Sequence, residues 1–162
     1  MKKGTTYVAI VAVALTGYFV YQTWFNPSRA VKRRLGEIAG ALSMPENEAD
    51  IDRIARLSRL RSYLANDVKV LALGVNVDGN GTVVGVLAPL RPPKGGVDIQ
   101  SVDVQVSVDS DSTARAGLML EVNTHDPATG EWRAEQHETI ASFEKRSGEW
   151  IVVRAEIRPA RR

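Results

Sequence analysis

Apolar positions along the chain change their period twice. From Gly4 to Ser28 no Asp, Glu, Lys or Arg occurs, and Thr5 to Phe25 is a nearly unbroken apolar run of 21 residues. As a helix at about 1.5 Å per residue it would span the roughly 30 Å of bilayer hydrocarbon. Lys2 and Lys3 precede it and Tyr18, Tyr21 and Trp24 close it, where an aromatic belt would lie. The pattern predicts a transmembrane anchor. A cleaved signal peptide is the rival, since Ala12-Val13-Ala14 has the small-x-small form of a cleavage site, but cleavage there would leave Leu15 to Phe25 apolar and exposed.

A helical period follows. Asn26 can cap a helix with Pro27 at its first position, and Val31, Leu35, Ile38 and Leu42 mark one face of a helix running to about Ser43. Met44-Pro45 breaks it. A second helix is expected from among Glu46, Asn47 and Glu48, with Ile51, Ile54, Leu57, Leu60 and Leu64 as its apolar face and Asp52 spaced to pair with Arg56.

Beyond Asn66-Asp67 the period becomes two. Val68, Val70 and Ala72 form one side of a short strand, Val75 and Val77 follow, and Asp78-Gly79-Asn80-Gly81 is a turn signal. Thr82 to Leu90 reads either as a strand or as a short helix beginning near Gly85. After the Arg91–Gly96 loop, Val97, Ile99, Val102, Val104, Val106 and Val108 alternate with polar residues, and a phase slip at Gln100-Ser101 predicts a bulge. Strands over Thr113 to Thr124, Glu131 to Arg146 and Trp150 to Ile157 are joined by short turns, which force an antiparallel meander. Helices followed by such strands predict an α+β fold, the helices covering one face of a curved antiparallel sheet.

Composition adjusts this picture little. With 162 residues the chain holds about one domain, divided as residues 1–26 for tail and anchor, 27–158 for the domain and 159–162 for a basic tail. Absent cysteine excludes disulfides and thiolate metal sites. The net charge of +2 reflects Lys2 and Lys3, two of 21 basic residues; the other 19 balance the 19 acidic ones, so no attraction to nucleic acid follows. Arg29, Lys32, Arg33 and Arg34 form a membrane-proximal basic group that competes with Lys2 and Lys3 in setting orientation, leaving the side of the domain open.

The ending Phe143 to Ile157, with Phe143, Lys145, Gly148 and Trp150 in order, resembles the nuclear transport factor 2-like superfamily, and Asp50 to Val70 is similar to the second helix and first strand of its SnoaL-like branch. The likeness is to membrane-anchored bacterial members of unassigned activity. It implies a cone-shaped fold with an apolar pocket at the open end. In ketosteroid isomerases and polyketide cyclases of that superfamily an Asp or His base works there. Other members use the pocket or the open sheet face for ligands, homodimers or protein partners.

The resemblance directs attention to Tyr63 and Asp67, at the end of the second helix and the step into the first strand, as pocket candidates. His137 joins them if the Glu131–Arg146 strand turns it inward; Met119 and Trp132 complete the set. Each has an ordinary alternative: core packing for Tyr63, a cap or turn for Asp67, a solvated strand position for His137. No aspartate matches an isomerase base, and no metal spacing, phosphate loop or cofactor motif is present, so neither catalytic residue nor cofactor is assigned. The expected function is that of a membrane-anchored domain binding a small apolar ligand or a protein partner. The alternatives are a structural component of a membrane complex, like the type IV secretion assembly factor, and a SnoaL or ketosteroid isomerase-like enzyme.

Overall fold

Asn26 opens the first helix as its sequence predicts. Its side chain accepts the Ser28 N–H at 3.0 Å and Pro27 fills the first turn of α1, Pro27–Leu42. The computed structural model describes residues 11–18, 20 and 26–160. Residues 11–18 are helical and exposed. Among the described residues no helix is long and apolar enough to cross a membrane, and most of the expected Thr5–Phe25 anchor lies outside them.

Helix α2 spans Asp50–Tyr63 and buries Arg56, Leu57 and Leu60. Ile51 and Ile54, expected on that face, are 71% and 62% exposed. The reason is geometric: successive steps of three fall short of a 3.6-residue turn, so the nine residues from Ile51 to Leu60 make about two and a half turns and put them on opposite sides. The expected Asp52–Arg56 pair is likewise replaced. Arg56, only 7% exposed, turns inward to Glu48, and Arg53 takes Asp50.

The chain passes directly into β1, Leu64–Ala72, and turns back through β2, Val75–Asp78. Thr82–Leu90 resolves as part of a helix, α3, Asn80–Leu87, which starts five residues before Gly85. Gly79 makes the turn at φ 85°, and the Asn80 amide donates to Leu64 O at 3.3 Å and Asn66 Oδ1 at 3.1 Å, pinning the helix start to β1.

The meander β3 (Val97–Val108), β4 (Thr113–His125), β5 (Trp132–Arg146) and β6 (Glu149–Pro159) forms as expected. Six strands lie in the order β2-β1-β6-β5-β4-β3. The sheet is mixed, not antiparallel throughout, because β1 runs parallel to β6. Short turns dictate direction only between consecutive strands, and most of the domain separates these two. The expected bulge lies slightly further on, between Val102 and Gln105, where Asp103 adopts φ 51°. A second irregularity falls at Ser142/Phe143. The bent sheet packs over α1, which lies on β3 and α2, and Val31, Leu60, Val68 and Phe143 are the largest fully buried side chains of the core.

Candidate ligand-binding cavity

The inward phase of β5 follows from its buried end. Phe143, Ala141 and Thr139 are buried, so alternation places His137 on the same inner face and Glu138 and Ile140 on the outer one. Cross-strand pairing agrees: Thr139 stands between Leu118 of β4 and Ile157 of β6, and Ala141 between Ala116 and Ala155. The alanines matter. Ala141 and Ala155 face each other where larger side chains would meet α1, and the space they leave is a partly enclosed cavity of about 240 Å³.

Its wall is built from every layer: Leu35, Ile38 and Leu42 of α1, Val70 and Ala72 of β1, Val83 and Leu87 of α3, Leu118 and Leu120 of β4, Ile157 of β6. Thr139 is the one polar residue among those lining it. Two buried polar atoms on this inner row, Thr139 Oγ1 and His137 Nδ1, have no hydrogen-bond partner among the described residues. The His137 Nε2 lies 3.8 Å from Glu135 Oε2.

None of the five pocket candidates from the sequence lines the cavity, and the structure does not bring them together. Tyr63 is half-buried at the core's edge, with the Arg34 guanidinium 4.6 Å from its ring centroid. Asp67 is exposed, 3.5 Å from Arg146. Met119 sits opposite Glu138, on the outer face of the sheet. Trp132 is exposed and meets His125 edge to face at 4.6 Å and 83°. Of the candidates on the sheet, His137 alone faces inward, one inner position beyond Thr139. Thr139 itself escaped the sequence reading, since threonine is common in strands and carries no signal of its own.

All four residues of the basic group are on α1, and two of them, Arg33 and Arg34, line a second, polar cleft of about 240 Å³ with Lys145, Glu149 and Trp150. Arg34 is already engaged there by Glu37 at 3.0 Å and by Glu149. No group of three or more His, Asp or Glu side chains that could hold a metal occurs among the described residues.

Neither a protein-family model nor a curated protein matches the sequence. Solved structures do match in shape. The association domain of CaMKII from C. elegans superposes with a TM-score of 0.68 at 13% identity, covering 85% of this chain and 98% of that one. A nuclear transport factor 2-like protein with a cystatin-like fold from Novosphingobium aromaticivorans gives 0.66 at 12% identity, covering 88% of each chain. A scytalone dehydratase-like protein from the same organism gives 0.65 at 14%, covering 82% and 83%. At such identities the likeness defines the fold: a nuclear transport factor 2-like, cystatin-like cone.

Proposed function

We propose that the protein is a membrane-anchored binding module whose cone holds a compact apolar ligand. The observation that carries this reading is the cavity wall, built of aliphatic side chains around space that alanines leave open. Apolar cavities of about 150 Å³ stay dry and take up benzene-sized molecules, and this one is larger. Among the described residues no carboxylate borders it, which supports binding over the acid–base chemistry of an isomerase or cyclase. An anchor over Thr5–Phe25 would hold the cone where apolar molecules concentrate, with Arg29 and Lys32 beside the headgroups.

The test uses the full chain in lipid nanodiscs, methyl-labelled at Ala, Leu and Ile. Methylcyclohexane is expected to shift the resonances of Ala141, Leu118 and Ile157, and Ala141→Trp, which fills the space, is expected to abolish the shifts. Unchanged spectra at saturating probe would reject the reading. Retention of the chain in carbonate-washed membranes, lost on deletion of residues 1–26, tests the anchor.

A homodimer through the outer sheet face is a second reading. Ile140 on that face is 44% exposed, across from Gly117 and near Met119, and the similar C. elegans domain is an association domain. Light scattering of the wild type and Ile140→Lys tests it; a monomer in both would exclude the dimer.

A further inference from the structure

The aliphatic cavity and the polar cleft lie toward opposite ends of α1. Leu35, Ile38 and Leu42 face the first, whereas Pro27, Ala30, Arg33 and Arg34, in the opening two turns, face the second across from the β5–β6 turn at Lys145, Gly148 and Glu149. Three cations line this cleft against one carboxylate, and they are not equivalent. Arg34 is committed to the structure: its side chain is 13% exposed, its terminal nitrogens are taken by Glu37 and Glu149, and its guanidinium lies over the Tyr63 ring. Arg33 and Lys145 are exposed and keep free donors. Arg33 reaches Glu37 at 3.8 Å, beyond hydrogen-bond range, and the Lys145 ammonium has no partner among the described residues. Beside them Arg146 is matched by Glu144 and Asp67.

We propose that this cleft is an anion site for the phosphate group of a phosphomonoester, held by Arg33 and Lys145. One carboxylate is served by one guanidinium, as Glu149 on Arg34 shows. A phosphomonoester carries roughly two negative charges and three acceptor oxygens, which suits two cations set on separate elements. Glu149 tunes the site: its side chain is 68% exposed, and it holds Arg34 while repelling an incoming anion. The place of the cleft points to the source. It opens on the first turns of α1, directly after the expected Thr5–Phe25 anchor, at the level where lipid phosphates would lie. A lipid headgroup bound there would fix the tilt of the cone on the membrane. That lipid source rests on the anchor reading; the phosphate chemistry does not.

The experiment follows the Gly148 and Trp150 amide resonances of the isotope-labelled full chain in phosphatidylcholine nanodiscs at constant ionic strength. The soluble probe is glycerol phosphate. Its affinity is expected to fall about tenfold or more in Arg33→Gln combined with Lys145→Gln, exposed positions whose change leaves the core untouched. It is expected to stay within about twofold in Arg91→Gln combined with Lys94→Gln, which removes equal charge at the far end of α2, where Arg91 lies 3.7 Å from Asp50. Glu149→Gln is expected to bind more tightly than wild type. The lipid arm replaces the probe with nanodiscs containing phosphatidic acid, or phosphatidylglycerol adjusted to equal charge. Shifts are expected with phosphatidic acid and not with phosphatidylglycerol, and are lost in Arg33→Gln combined with Lys145→Gln; shifts in this arm alone would still support a headgroup site. Equal weakening in the two double variants would overturn the site in favour of the general field of the chain. Shifts with glycerol phosphate and none with phosphatidic acid would overturn the lipid source and leave a site for a soluble phosphate ester. No shift in either arm would overturn the proposal. If carbonate washing shows no anchor, the soluble arm still decides the cleft.

Discussion

Arg56 and Glu48 form a bidentate ion pair inside the protein: Nε reaches Oε1 at 2.6 Å and a terminal nitrogen reaches Oε2 at 3.0 Å. The remaining guanidinium nitrogen donates to Ala41 O at 2.7 Å. One side chain on α2 thus holds the last turn of α1 and the segment joining the two helices. The pair lies on the helical layer whose α1 face forms one wall of the cavity, so its rigidity bears on the site.

Removing one partner strands a buried charge. Arg56→Ala is expected to lower the unfolding free energy by about 3–5 kcal/mol, read from urea denaturation. Arg56→Met combined with Glu48→Leu is expected to recover most of the loss, since well-packed apolar replacements of buried pairs are often neutral. Equal stability of Arg56→Ala and wild type would show that the pair contributes nothing.

The same geometry sets an acid limit. The Glu48 carboxyl is held below its ordinary value of 4.5 by the Arg56 hydrogen bonds, which outweigh the opposing effect of burial, and by the charges of Arg56 and Arg53. A carboxylate with a lowered folded-state pKa binds its proton more readily when unfolded. Its contribution is therefore complete above about pH 4.5 and is lost as pH falls through the lowered value. Stability should decline in that window, with a shallower decline in Glu48→Gln; equal slopes in the two proteins would refute the assignment.

Much of this fold is legible because its signals are local. Asn26-Pro27 starts a helix without help, and the Val97–Val108 alternation separates a half-buried face from a wet one by polarity alone. The rest depends on tertiary partners. Val83, Val84 and Val86 favour a strand by residue type, and their helix follows from Asn80 being tied to β1. The run Glu131 to Glu138 is polar on both faces, so its phase cannot be read locally; Phe143, buried several residues later, decides it. Thr139 is invisible for a further reason: what distinguishes it is a missing partner, which only the folded structure reveals.

Gly96 offers a test of how β3 is fastened to the helical layer. Met44 and Val97 exchange two backbone hydrogen bonds, each 2.8 Å, and Gly96 adopts φ 78° beside them. A Cβ there would lie 2.8 Å from Met44 O and 3.0 Å from Glu46 N, both backbone atoms that cannot swing away. Gly96→Ala therefore combines left-handed strain with a clash and is expected to cost at least about 1–3 kcal/mol. Hydrogen exchange at the Met44 and Val97 amides should accelerate more than at Val106, in the far half of β3. Uniform acceleration along β3 would mean that the contact is not a separate fastening.

Thr139→Val tests the unpaired hydroxyl. If the hydroxyl is unpaired in the empty cone, replacing it with a methyl of similar size removes an unsatisfied group and adds apolar contact with Leu118 and Ile157. The variant is then expected to be more stable than wild type by about 1 kcal/mol or more, measured by urea denaturation without added ligand. That direction is unusual, since most substitutions at buried positions destabilise. Thr139→Ser keeps the unpaired hydroxyl, loses a methyl and should be less stable than wild type. A destabilised Thr139→Val would mean that the hydroxyl already has a partner in the protein.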